Sequence, residues 1–251
     1  MNSSTSADPS VTCDTLLAGR VTLVQPAQGY RVAIDPVLLA ASVEPKAGHR
    51  VLDLGCGAGA IALCLLARCP QVHVTGLEQN PDLVDLARRN ASENGMTERF
   101  EIHQGSVAAV PSAIAPGSFD WVLTNPPHLE ASAATASPNA ARRSANMEGE
   151  AGLEAWIAAA ARSLKPKGRL ALIHRADRVD GIIRALAGGF GEVVLHPLWP
   201  KAGHPAKRVI LHARKGVASP FRIEAGTVLH NGDGGFTDAA RAVLDGGSLA
   251  M

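Results

Sequence analysis

The chain has 251 residues, 46% of them hydrophobic, and a formal net charge of +1 at pH 7. This length and composition suit one α/β domain with a large core, and the small net charge excludes an overall electrostatic attraction to nucleic acid. No apolar stretch reaches the roughly 20 residues that span a bilayer. The start of the chain also lacks the charged and apolar regions of a signal peptide. We therefore predict a soluble, cytoplasmic protein.

The cysteines lack the paired Cys-x-x-Cys spacing of a zinc site. We interpret all of them as reduced, small apolar residues: Cys13, Cys56, Cys64 and Cys69. The histidines of the second half show no i,i+4 helical spacing, so we predict no metal site.

Residues 1–14 are predicted to be disordered, because the chain starts with small polar residues that have nothing to bury. Residues 15–251 are predicted to form a single domain that opens with a short hairpin over residues 15–26. Asp35 followed by Pro36 is typical of a helix start. We expect a helix from Pro36 with Asp35 as its N-cap. A second interpretation, in which Asp35 lines a ligand pocket, stays open.

An apolar strand, a turn of alternating glycines and a helical pattern follow one another over residues 51–66. Glycines in such a turn let a ligand approach the main chain, and the helix start presents free N–H groups. The next apolar strand ends in Glu78, about 20 residues farther on, where ribose hydroxyls lie in nucleotide-binding folds. The acidic Asp53 before the turn suits a cationic ligand better than a pyrophosphate. A dinucleotide site and a plain tight turn of a doubly wound fold remain alternatives.

The following patterns predict a helix from Pro81 to Asn94 with Asn80 as its N-cap, a strand over residues 99–106 and a strand over residues 119–123. Asn125-Pro126-Pro127 comes next, and two consecutive prolines hold the chain extended with free carbonyls. In a doubly wound sheet, this loop lies at the same edge as the glycine turn. The alternative is a rigid connecting loop with no further role.

The second half begins with residues 129–150, predicted to be a mobile loop in which Arg142 and Arg143 either meet phosphates or are solvated surface charges. The patterns then predict a helix through Leu164, strands over residues 169–175, 193–200, 208–215 and 221–229, and a helix after Thr237. Basic residues outnumber acidic ones here, which indicates a nucleic-acid face, with scattered solvated charge as the alternative. They are Lys165, Lys167, Arg169, Arg175, Arg178, Arg184, Lys201, Lys207, Arg208, Arg214 and Lys215.

The Asp-x-Gly-x-Gly-x-Gly motif resembles that of the class I methyltransferases, which bind S-adenosylmethionine. The resemblance implies a Rossmann-like, doubly wound, mostly parallel seven-stranded sheet in a single domain. It also implies a cofactor role for Ser106, which stands where relatives often have an acidic residue facing adenine. Tyr30 and Asp35 precede the first strand of the sheet, where several relatives have a motif that closes over the bound ligand. The implied cofactor-binding residues are Tyr30, Asp35, Asp53, Gly55, Gly57, Gly59, Glu78, Gln79, Ser106 and Asn125.

Asn-Pro-Pro followed by an aromatic residue resembles the signature of methyltransferases that modify planar nitrogens, chiefly adenine N6 and the glutamine side-chain amide. The implied catalytic residues are Asn125, Pro126, Pro127 and His128, the last standing where Tyr, Phe or Trp is usual. The wider pattern resembles the bacterial tRNA adenine N6-methyltransferases, which act on the adenosine 3′ of the anticodon in a valine tRNA. The resemblance therefore implies a tRNA partner, bound through the basic C-terminal third and loop 129–150.

Four other functions stay open. A protein-glutamine methyltransferase shares Asn-Pro-Pro but usually carries an additional N-terminal helical domain, and an rRNA or DNA adenine methyltransferase would use the same chemistry. A dehydrogenase would bind nicotinamide at the glycine turn. A non-catalytic cofactor-binding assembly factor would fit the replacements at His128 and Ser106. The sequence does not distinguish a monomer from a dimer.

Overall fold

The computed structural model describes residues 10–28, 33–127 and 152–251. Strands β1 (Val11–Leu16) and β2 (Val21–Pro26) pair antiparallel and form the predicted hairpin. The hairpin starts earlier than expected, so the part of the predicted disordered segment from Val11 to Asp14 is a strand. Its residues pair in register with β2, from Val11 opposite Pro26 to Leu16 opposite Val21, and these ladder bonds order them.

Within the described residues, the central sheet has nine strands, seven of them long. They are β3 (Arg50–Leu54), β4 (His73–Glu78), β5 (Phe100–Gln104), β6 (Phe119–Thr124), β7 (Leu164–Arg175), β8 (Phe190–Trp199), β9 (Arg208–Lys215), β10 (Arg222–Ile223) and β11 (Thr227–Val228). The order is β10-β8-β9-β7-β6-β3-β4-β5, with β11 beside β8, and only β9 runs antiparallel to its neighbours. This confirms the mostly parallel α/β sheet. The single strand predicted over residues 221–229 is instead two short segments, both parallel to β8.

Helices cover both faces of this sheet. They are α1 (Asp35–Ala41), α2 (Ala60–Arg68), α3 (Pro81–Glu93), α4 (Leu153–Ser163), α5 (Val179–Leu186) and α6 (Asp238–Leu244). Two apolar clusters fill the space between helices and sheet: Val51 belongs to one cluster with α1 and α2, and Leu52 to the other with α4 and α5. Successive strand residues point to opposite faces, so this alternation identifies a doubly wound fold. None of the helices described is long and apolar enough to cross a bilayer.

The predicted helix starts have different outcomes. Asn80 caps α3 as expected, because its side chain accepts a hydrogen bond from the Asp82 amide at 2.9 Å. Asp35 is not a cap: the N-cap of α1 is Ile34, and Asp35 is the first helical residue. The Asp35 carboxylate accepts a hydrogen bond of 2.9 Å from Arg208 Nε. An ion pair with a distant strand has therefore replaced the local cap.

The helix predicted to include Leu164 ends at Ser163, and Leu164 begins β7. Leu164 pairs with Phe119, and the next paired residues are Arg169 and Trp121, so β7 has extra residues between these two pairs. This irregularity accommodates Pro166, which has no amide hydrogen for a regular ladder. Sequence reasoning also missed α5, whose buried Ile182 and Leu186 have i,i+4 spacing.

Candidate active site at the carboxyl edge of the sheet

The two sequence motifs meet where β3 and β6 end. Leu54 and Thr124 are paired in register, and the buried Thr124 hydroxyl donates a hydrogen bond of 2.9 Å to the Leu54 carbonyl. Gly55 and Asn125 are the residues that immediately follow this pair. Neighbouring parallel strands end at the same edge, so the glycine turn and the Asn-Pro-Pro segment share one crevice border, as the sequence predicts. In that segment Asn125 is half-buried and Pro126 is buried.

The glycine turn depends on glycine for two different reasons. All three glycines have positive φ: 71° at Gly55, 54° at Gly57 and 91° at Gly59. A β-carbon on Gly55 would lie 2.4 Å from Trp156 Cη2, and one on Gly59 would lie 2.8 Å from Phe100 Cε1. A β-carbon on Gly57 would meet nothing within 4 Å. The outer glycines therefore accommodate aromatic side chains, and the middle one borders open space.

Glu78 connects the end of β4 to this turn. One carboxylate oxygen accepts a hydrogen bond from the Gly57 amide and the other from the Asn80 amide, both at 2.9 Å. A carboxylate has about four acceptor positions, so each oxygen retains capacity for a hydroxyl hydrogen. The exposed Gln79 follows directly.

Ser106 lies at the same edge, two residues beyond the pair that Glu78 forms with Gln104. Its hydroxyl oxygen accepts a hydrogen bond of 3.2 Å from the Ala108 amide, which closes a local turn. A second lone pair on that oxygen is left to accept from a ligand.

Asp53 is completely buried within β3, between Gly76 of β4 and Leu123 of β6. The pKa of Asp53 is raised to about 8, mainly by burial; a hydrogen bond from the Ala62 backbone amide opposes the rise, and the negative charge of Glu78 adds to it. The group is therefore mostly protonated at neutral pH in the protein without ligand. A nearby positive charge would favour its ionised form.

Of the remaining predicted residues, the structure describes Asp35 but not Tyr30 or His128. Asp35 forms an ion pair with Arg208, which lies opposite Arg175 near the same edge of the sheet, and 14% of the Asp35 side chain is exposed. Tyr30, His128 and residues 129–150, including Arg142 and Arg143, lie outside the described residues. In the described part of the chain, no group of three or more His, Cys, Asp or Glu side chains is arranged around a metal position.

Sequence reasoning missed three residues that shape the turn: Phe100, Trp156 and Asn90. The aromatic residues fit the expected core pattern, and nothing in the sequence indicates that they face glycines. The signal for Asn90 was present, because it follows Ala87 at helical spacing on the buried side of α3 and is itself fully buried. A polar side chain on an apolar stripe indicates a specific partner.

The basic residues of the C-terminal third do not form one continuous face. Arg175 pairs with Arg208 near the carboxyl edge of the sheet, and Arg169 pairs with Arg214 farther along the same strands. The two pairs are six residues apart on β7, or about 20 Å.

Acidic side chains neutralise much of this charge. Glu192 binds both Arg169 and Arg214, and these contacts lower its pKa. Further ion pairs among the described residues join Lys165 to Asp120, Arg175 to Asp177, Arg184 to Asp180 and Arg208 to Asp35. The single basic patch is therefore corrected to two separate groups. One of them, with Lys201 and Lys207, adjoins the edge that carries the motifs.

Comparison with known proteins identifies relatives of this chain among the methyltransferases. The chain is 37% identical over 158 residues to the tRNA1(Val) (adenine(37)-N6)-methyltransferase of Porphyromonas gingivalis, a match that covers 61% of each chain. It is 40% identical over 129 residues to the release factor glutamine methyltransferase of Deinococcus radiodurans, covering 49% of this chain and 44% of the relative. The chain thus matches less than two thirds of the length of these relatives.

A crystal structure with a similar fold is that of a predicted O-methyltransferase from Agrobacterium tumefaciens. It has a TM-score of 0.72 and 27% sequence identity, and the alignment covers 86% of this chain and 99% of that one. The Rossmann-like sheet is thus that of the class I methyltransferases. Residues 31–195 match the sequence profile of the methyltransferase small domain, which is more than half of the chain. The chain therefore belongs to the methyltransferase small domain family.

Proposed function

We propose that this protein is an S-adenosylmethionine-dependent N-methyltransferase that modifies the exocyclic N6 of an adenine in tRNA. The observation that carries this proposal is the hydrogen bond from Thr124 to Leu54, which sets Asn125 beside the glycine turn. A cofactor-type turn and a pair of hydrogen-bond acceptors for an amine then border the same crevice. Family membership supports methyl transfer as the reaction class.

The turn fits S-adenosylmethionine in shape and charge. Gly57 leaves room for a ligand at the main chain, and the Glu78 oxygens have lone pairs for two ribose hydroxyls. Asp53 is a buried, protonated carboxyl, and a cationic ligand would favour its ionised, negatively charged form. The other members of the proposed cofactor-binding set are Gly55, Gly59, Gln79, Ser106, Asn125, Tyr30 and Asp35.

The chemistry assigned to Asn125-Pro126-Pro127 is positioning. An exocyclic adenine amine is a poor nucleophile, because its lone pair is delocalised into the ring. We propose that the Asn125 side-chain oxygen and the Pro126 carbonyl each accept one N–H, which aims the nitrogen lone pair toward the cofactor. S-adenosylmethionine supplies the methyl group from its sulfonium. Pro127 keeps the segment extended, and His128 offers a flat face on which the extruded base stacks.

The tRNA substrate is supported by the name of the Porphyromonas relative, which this chain matches at 37% identity over 158 residues. It would place the enzyme in the cytoplasm. The test incubates unmodified total tRNA with the protein and isotope-labelled S-adenosylmethionine, then analyses nucleosides by mass spectrometry. Labelled N6-methyladenosine is expected. The RNA assignment would be overturned if a preparation that binds the cofactor methylates a glutamine of a release factor and does not methylate tRNA.

The basic group nearest the crevice is the proposed tRNA contact, together with loop 129–150. Lys207 is exposed and adjoins β9 at the site edge, whereas Lys167 is exposed near the start of β7, at the opposite edge of the sheet. Charge reversal of either residue changes the net charge equally, so the two variants form a matched pair. We expect Lys207→Glu to weaken tRNA binding in a filter-binding titration and Lys167→Glu to leave it nearly unchanged. Equal weakening by both variants would argue against an interface at this edge.

A further inference from the structure

Two asparagines of α3 hold strand β2 of the N-terminal hairpin. The Asn94 side chain accepts from the Thr22 amide at 2.9 Å and donates to the Thr22 carbonyl at 2.7 Å. One helical turn earlier, Asn90 accepts from the Val24 amide and donates to the Val24 carbonyl, both at 2.8 Å. Each side-chain amide thus makes two hydrogen bonds to the main chain of one strand residue, as a residue of a neighbouring strand would. The spacing matches because four helical residues rise about 6.0 Å, which is close to the length of two strand residues, about 6.7 Å.

The two asparagines differ in the use of the second amide hydrogen. Asn94 donates it to the Asn90 carbonyl within its own helix at 2.8 Å. Asn90 donates it to the carbonyl of Ala58 at 2.9 Å, which lies in the glycine turn between Gly57 and Gly59. Asn90 is fully buried, so water does not replace these bonds. Asn90 is therefore the residue through which the hairpin reaches the turn.

We propose that Asn90 is a positioning residue for the cofactor, one that couples the N-terminal hairpin to the glycine turn. The proposal rests on the cofactor assigned to that turn under the proposed function. Glu78 holds the Gly57 amide and Asn90 holds the Ala58 carbonyl, so two side chains fix successive groups of the turn's main chain. Asn90 acts on the ligand only through Ala58.

The turn needs such outside support because of its own composition. Its glycines have no side chains to restrict the backbone, and an unrestrained glycine has more conformations to lose when a ligand binds. A turn already held in its binding conformation loses less entropy on binding, which increases affinity. Loss of one net hydrogen bond to a neutral group corresponds to about a three- to tenfold change in an equilibrium constant. We expect a weakening of cofactor binding of that size without Asn90.

The experiment compares Asn90→Ala with Asn94→Ala. Both variants remove hydrogen bonds to the hairpin, but only Asn90→Ala removes the bond to Ala58. Binding of S-adenosylhomocysteine is measured by titration calorimetry, and KM and kcat are measured with tRNA. We expect Asn90→Ala to weaken binding about three- to tenfold and to raise the cofactor KM more than it lowers kcat. Asn94→Ala is expected to retain wild-type affinity, and Asn90→Ser to recover part of the lost affinity because its hydroxyl can donate.

A measurement on the wild-type protein keeps the proposal testable if Asn90→Ala does not fold. Coupling is reciprocal, so cofactor binding should slow hydrogen exchange at the Val24 amide as well as in the turn. Protection of the turn without any change at Val24 would overturn the proposal, as would equal cofactor affinity in the wild type and the folded Asn90→Ala variant. A wild-type protein that binds no S-adenosylhomocysteine would instead overturn the cofactor assignment itself.

Discussion

Thr124 donates a hydrogen bond of 2.9 Å from its hydroxyl to the Leu54 carbonyl, and both residues are fully buried. This bond joins the ends of the two strands that carry the sequence motifs. The distance between the glycine turn and the Asn-Pro-Pro segment is therefore set inside the sheet rather than by the loops. A change at Thr124 alters the site without touching a residue that meets the ligand.

Thr124→Val keeps the shape of the side chain and removes the donor. We expect it to lower the free energy of unfolding by about 1 kcal/mol, the usual net value of one hydrogen bond. Methyl transfer should fall by a larger factor, because small displacements of positioning groups reduce rates strongly. Urea unfolding and single-turnover kinetics measure the two effects. Thr124→Ser retains the hydroxyl and serves as the control, so equal activity of the two variants would contradict the positioning role.

Asn125→Ala tests the proposed acceptor directly. Removal of the side-chain oxygen leaves one N–H of the target amine without a partner in the transition state. We expect transfer to fall by about 100-fold or more, as for loss of a preorganised polar group, and cofactor affinity to fall by a much smaller factor, because the other proposed cofactor-binding residues remain. Labelled-methyl incorporation and calorimetry are the measurements. Full activity in Asn125→Ala would show that this residue does not orient the amine.

Two alanine substitutions in the glycine turn introduce similar backbone strain and differ in the contact that the new side chain makes. Gly55→Ala and Gly57→Ala both place a β-carbon at positive φ, which costs about 1–2 kcal/mol in each case. Only Gly55→Ala also drives that carbon into Trp156, at 2.4 Å. We expect Gly55→Ala to lower the melting temperature more than Gly57→Ala does. Gly57→Ala should weaken cofactor binding and cost less stability than Gly55→Ala. Similar melting temperatures for the two variants would mean that Trp156 does not pack against the turn.

Asp53 should make the folded protein less stable as pH rises. Its pKa is about 8 in the folded protein against an ordinary value of 3.8, so between these values the folded state binds more protons than the unfolded state. Stability therefore decreases with increasing pH across this window, by at most about 1.4 kcal/mol per pH unit from this group. Asp53→Asn removes this pH dependence. In urea unfolding, the free energy of unfolding of the variant relative to wild type should therefore be higher at pH 8 than at pH 5. Parallel pH profiles would contradict the buried, protonated carboxyl.

The same carboxyl predicts a pH dependence of cofactor binding. A cationic ligand stabilises the ionised form of Asp53, so binding releases a proton while the free protein is protonated. We expect affinity for S-adenosylmethionine to rise from pH 6 to pH 8 and to level off above the pKa. Calorimetry in buffers of different ionisation enthalpy detects the released proton. Asp53→Asn should bind the cofactor more weakly and release no proton on binding. If the variant released as many protons as the wild type, Asp53 would not be the group that ionises on binding.

The sequence alone determined most of the elements and the edge that the two motifs share. Hydrophobic periodicity, glycines and prolines are local properties, so they predicted most strands and helices, the cap at Asn80 and the place of the glycine turn beside Asn-Pro-Pro, while the family resemblance implied the doubly wound sheet. The same local reasoning placed a cap at Asp35 and assembled the C-terminal bases into one face. It failed there because the partners Arg208 and Glu192 lie far away in the chain.

Only the tertiary structure decided how the site is supported. Trp156 against Gly55, Phe100 against Gly59 and the bond from Asn90 to Ala58 join residues that no local pattern relates. The buried state of Asp53, and with it the pKa near 8, likewise comes from packing between two neighbouring strands. Local preferences act over a few residues, whereas burial and pairing depend on which distant segments the fold brings into contact.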